Sequence, residues 1–156
     1  MTNVFFEDEK ITENDLYFIC YMIERISRRL HQRNRYTVNT VPQAEWVRLI
    51  SLANVLHCEN PIKLEDLWIE EYSLCKGEFD ILNVDRELVQ NIPSVTQMGK
   101  VYKRLILDTL LKDESYVDGM IRVYNNPICN IIDNYNSSAY YEPSYVIARA
   151  YNEGGF

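Results

Sequence analysis

Glycine and proline are scarce in this chain, five of each in 156 residues. That scarcity argues against a turn-rich β-sandwich or a disordered polypeptide and for a globular, helix-dominated protein. Four cysteines, Cys20, Cys58, Cys75 and Cys129, are widely scattered with no Cys-x-x-Cys pair, so a disulfide framework or zinc site of the common kinds is not expected. They read as free, buried thiols. No Glu-x-x-His or His-x-x-x-His pair is present, nor a glycine-rich loop of Walker or Rossmann type, so neither a metal nor another cofactor is implied. No apolar run approaches the roughly eighteen residues of a membrane span, and no basic lead with an apolar core opens the chain. These two observations predict a cytoplasmic protein without signal peptide or anchor. Positive charge is in deficit too. A formal net charge of −7 argues against general nucleic-acid binding and against an anionic membrane surface.

What is present is helical periodicity. Leu16, Ile19, Ile23, Ile26 and Leu30 alternate spacings of three and four, the seam of an amphipathic helix. Tyr17, Phe18, Cys20, Tyr21 and Met22 flank that seam and predict a helix surrounded by other elements. Thr12 and Asp15 have capping-box spacing at its start, acids crowd that end, and arginines crowd the other, as the helix dipole favours. Asn34 to Thr40 reads as a polar connection.

A second pattern opens near Thr40 and Pro42 and places Trp46, Leu49, Ile50, Ala53 and Leu56 on one face up to His57. A third starts at the cap Asn60 and Pro61, is lined by Leu64, Leu67, Trp68, Tyr72 and Cys75, and should stop at Gly77. Residues 78 to 91 read as loop with at most one helical turn. Ser94 and Gln97 form a capping box for a fourth helix, Val95 to Lys112. A fifth pattern runs from Val117 to Tyr135 across Pro127, predicting one kinked helix or two end to end. A last short helix follows Pro143 and ends at Gly154 and Gly155. The expectation is an all-α fold, a single compact bundle of five to seven helices forming one domain over residues 1–156.

Two features stand out chemically. Arg25, Arg28, Arg29, Arg33 and Arg35 fall within eleven residues of an otherwise acidic chain, a cluster able to grip an acidic partner or to pair with the acid-rich stretch 59–87. The region from Tyr116 onward is rich in tyrosine and asparagine, and Asn136-Ser137-Ser138 predicts an exposed loop just before Tyr140, Tyr141 and Tyr145. Tyrosine combines an apolar face with a polar tip, which suits recognition surfaces. The expectation is therefore a non-enzymatic binding or regulatory protein, an adaptor or neutralising partner of another protein. Arg28, Arg29, Arg33, Tyr140, Tyr141 and Tyr145 are its candidate contact residues.

Arg25 and His31, with five residues between them, resemble the Arg-(four to six residues)-His signature of HEPN-type ribonucleases, which are all-helical proteins of comparable length. That resemblance implies RNA cleavage, with Arg25 on the scissile phosphate and His31 in proton transfer. Helices two and three could also form a helix-turn-helix. However, Glu65, Asp66, Glu70 and Glu71 on the would-be recognition helix would repel phosphates.

Overall fold

The computed structural model describes residues 1–156 and contains eight α-helices and one 3₁₀ turn. Helix α1, Glu13–Leu30, starts at the predicted capping box. The Thr12 hydroxyl accepts the Asp15 amide at 3.3 Å, and the Asp15 carboxylate accepts the Thr12 amide at 2.8 Å. The helix stops where His31 turns left-handed at φ 51°. Its last carbonyls are not left bare: the Gly77 and Phe79 amides donate to Leu30 and His31 at 2.7 and 2.9 Å. Leu16, Phe18, Ile19, Cys20, Met22, Ile23, Ile26 and Leu30 are all buried, so α1 is the central helix, packed on four others.

Helix α2, Asn34–Thr40, stands where the sequence suggested a connection. Periodicity missed it because its inner face is polar. Buried Asn34 donates to the Glu24 carboxylate at 2.7 Å, and the Thr37 and Ser27 hydroxyls share a hydrogen bond of 2.8 Å. Helix α3, Gln43–Leu56, buries Trp46, Leu49, Ile50 and Ala53 as its pattern required. Helix α4, Pro61–Glu71, is capped by Asn60, whose side chain accepts the Ile62 amide at 2.9 Å. It ends earlier than expected, because the chain turns left-handed at Ser73 (φ 52°). Gly77 has a different role: a Cβ there would meet the Gln32 side chain at 2.6 Å. Cys58 and Cys75 lie beyond the ends of their helices and are exposed, whereas Cys20 and Cys129 are buried.

Helix α5, Val95–Asp108, is capped by Ser94 through the Gln97 amide and is the main packing partner of α1. The pattern across Pro127 resolves into two helices, α6 (Tyr116–Tyr124) and α7 (Cys129–Ile132). A 3₁₀ turn at Ala139–Tyr141 leads into α8, Ser144–Glu153, which ends at Gly154 with φ 86°. The fold is all-α as expected, and α2 takes the count to eight α-helices, one above the expected range. A cluster of 34 buried apolar residues runs through the fold. No helix is long and apolar enough to cross a membrane.

Gly99 sets the distance between α1 and α5, since a Cβ there would lie 3.2 Å from the Tyr21 N and Cα atoms. Backbone cannot rotate away as a side chain can. Gly99→Ala gains about 1 kcal/mol of helix propensity but overpacks a rigid contact, which costs about 1–3 kcal/mol. The expected outcome is a net loss of about 1 kcal/mol, read as a lower urea midpoint at unchanged slope. A midpoint at or above that of the parent would show that the two helices can separate freely.

Candidate functional site

The arginines of α1 are largely committed within the molecule. Arg25 reaches across to α4 and pairs with the buried Glu65 at 2.6 Å, and Arg29 pairs with Asp66 at 2.6 Å while remaining partly exposed. Arg28 is turned inwards. Its Nε lies 3.3 Å from the Glu24 carboxylate, and its Nη2 donates to the Pro93 carbonyl and the Tyr135 hydroxyl, both at 2.9 Å. With a side chain only 13% exposed, Arg28 is not free to serve as the surface contact its sequence position suggested. Arg33 stacks over the Phe79 ring, 4.0 Å from its centroid.

Arg25 and His31 do not converge. Arg25 faces Glu65, His31 is the left-handed cap of α1, and six residues of helix leave them on different faces. No group of three or more His, Cys, Asp or Glu side chains comes together to hold a metal.

Behind Arg28 lies a buried polar network that the sequence did not reveal. Glu24 is fully buried, and burial raises its carboxyl pKa against the opposing effects of Arg28 and Asn34. Asp133, 5% exposed, accepts the Tyr102 hydroxyl at 2.6 Å; burial, and then the neighbouring Glu24, push its pKa well above the usual range. Tyr102 stacks on Tyr124 at 4.5 Å between ring centroids, and the Tyr124 hydroxyl has no partner. Burial also pushes the Cys20 thiol up to about 12, so it is unsuited to nucleophilic chemistry.

The tyrosines gather differently. Tyr135, fixed by Arg28, meets Tyr140 edge to face at 5.4 Å, and Tyr140 meets Tyr141 at 6.3 Å. Tyr140 and Tyr141 thus stand as one wall of a groove of about 210 Å³, with Gln97, Lys100 and Arg104 of α5 on the other side and Glu142 also lining it. Tyr141 is 77% exposed. Tyr145, 70% exposed, lies in the adjoining hollow with Asp108 and Ala148. Arg122 of α6 helps to hold α8 in place, donating to the Tyr151 hydroxyl at 2.6 Å and to Glu114 at 2.6 Å.

Lys100 and Arg104 form no ion pair, although the chain has an excess of acids. Sequence reading passed over them. The visible signal was the run Lys100, Lys103, Arg104 on one helix of an acidic protein. No protein-family model, curated protein or solved structure matches this chain.

Proposed function

We propose that this is a non-enzymatic, cytoplasmic binding or regulatory protein, an adaptor or neutralising partner, that captures another protein through the groove between α5 and the Tyr140–Tyr141 wall. The observation that carries the reading is the pairing of the exposed Tyr141 ring and the half-buried Tyr140 ring with two unpaired cations across one groove. Such a groove suits a partner segment that offers carboxylates to Lys100 and Arg104 and an apolar or aromatic side chain to the tyrosines. Glu142 at the same groove disfavours a simple polyanion, and the net charge of −7 disfavours nucleic acid.

The test is capture of the partner from the host at low salt, followed by its measured affinity for three variants. Tyr141→Ala with Tyr145→Ala, Lys100→Glu, and Arg104→Glu should each weaken binding by about tenfold or more, about 1.4 kcal/mol, without lowering the melting temperature. All these side chains are exposed, so the fold should not be disturbed. Affinity unchanged in all three variants would remove this groove from consideration.

A further inference from the structure

A second pocket, of about 190 Å³, opens where the irregular loop of residues 72–94 meets α7 and the residues that follow it. Loops of this length without regular structure are uncommon in compact folds and often carry function. Arg33, Phe79, Asn83, Asp133, Asn134 and Tyr135 are among its lining residues.

Two of these residues have bonding capacity that the protein does not use. The Arg33 guanidinium carbon lies 4.0 Å from the Phe79 ring centroid, and the group donates to no acceptor in the chain. Asp133 is 95% buried, being 5% exposed; Tyr102 holds its Oδ1, while its Oδ2 receives no donor from the protein. That oxygen meets solvent in the pocket, since the Tyr124 hydroxyl is the one fully buried side-chain oxygen or nitrogen without a partner. Arg33 and Asp133 line the same pocket, yet they form no ion pair with each other.

We infer that this pocket binds a free α-amino acid, its ammonium on Asp133 and its carboxylate on Arg33. Only a ligand carrying both groups meets both demands. A simple anion would be opposed by Asp80, which also lines the pocket, and a simple cation would be opposed by Arg33. Phe79 holds the guanidinium at the pocket through a cation–π contact, where its unused donors can take a carboxylate. Asn83 and Asn134 add amide donors and acceptors for a polar side chain. The volume of about 190 Å³ is below the 300–1,000 Å³ typical of drug-sized sites, which suits an amino acid.

The experiment is calorimetric titration of the intact protein with each standard L-amino acid. The same amino acid is then tested in its N-acetylated and carboxamide forms. The expected result is 1:1 binding of at least one free amino acid, weakened about tenfold or more by either blocking group and by Arg33→Gln or Asp133→Asn. Asp133→Asn keeps an acceptor for Tyr102, and circular dichroism checks that both variants remain folded. The inference is overturned if no amino acid binds at millimolar concentration. It is equally overturned if a blocked form binds as well as the free one, or if both folded variants bind like the parent.

Discussion

Arg28→Met is expected to cost the fold about 3–5 kcal/mol near neutral pH and to recover most of that loss in acid. The reason is Glu24. Its carboxylate is fully buried, and Arg28 is its only cationic partner, with the Asn34 amide as the remaining hydrogen bond. Removing the guanidinium leaves an uncompensated buried charge, and it also strips donors from the Pro93 carbonyl and the Tyr135 hydroxyl. The pH dependence follows from the direction of the Glu24 shift. Burial raises the native pKa even with Arg28 present, and loss of Arg28 removes the largest opposing effect. A raised native pKa means that the folded chain holds a proton the unfolded chain has released. Stability is therefore full below the ordinary glutamate value of about 4.3 and falls as pH rises through the native value. Asp133 is shifted in the same direction and forms a common background, so the readout is the difference between variant and parent. Urea titrations at about pH 5 and about pH 8 should show the deficit shrinking in acid, and Glu24→Gln added to Arg28→Met should make it nearly independent of pH. A deficit equal at both pH values would mean that Glu24 is not the group left stranded.

Trp46→Ala should cost about 3–5 kcal/mol, a large share of the 5–15 kcal/mol typical of a folded protein. Trp46 is fully buried on α3 and ties together elements that share no seam in the sequence. Its Nε1 donates to the Val38 carbonyl of α2 at 2.9 Å, and its ring meets Trp68 of α4 edge to face at 6.3 Å. Trp68 in turn meets Phe18 of α1 edge to face at 6.5 Å, so the three rings link three helices. Truncation to alanine leaves a cavity that rigid aromatic neighbours cannot close. Thermal unfolding should shift down by roughly 10 °C. Trp46→Phe keeps a ring but loses the donor to Val38, and it should cost less, about 1–3 kcal/mol. A loss below about 1 kcal/mol for Trp46→Ala would show that α2, α3 and α4 do not depend on this junction.

The groove and the second pocket make different demands on this scaffold. The groove is tested through exposed side chains, Tyr141 and Tyr145 with Lys100 and Arg104, whose replacement should leave stability unchanged. The Asp133 pocket uses a buried carboxyl whose raised pKa already signals a cost to the fold. Asp133→Asn should for that reason leave the unliganded protein at least as stable as the parent near neutral pH, the usual sign of a residue whose position weakens the fold. Tyr135 touches both sites, lining the pocket while bracing Tyr140.

Much of the helical framework was legible from the chain alone because helix signals are local. The seam of α1, the capping box of Thr12 and Asp15, the Asn60 and Pro61 start of α4 and the Ser94 cap of α5 each depend on residues within a turn or two of one another. The exposed turn at Asn136 and Ser138 also followed from local composition. Local signals failed where burial was polar or where the partner lay far along the chain. Helix α2 hid behind Asn34 and Thr37, whose inward faces are satisfied only by Glu24 and Ser27 of another helix. Arg28 looked like surface charge until Tyr135, more than a hundred residues away, was seen beside it. Lys100 and Tyr141 make one groove, and Arg33 and Asp133 one pocket, only because α5 and α7 pack where they do. Periodicity and capping determined the helices other than α2 and which face each must bury. The juxtapositions that carry function were decided by tertiary packing, because a hydrogen bond or ion pair between distant residues leaves no trace in the spacing of either one.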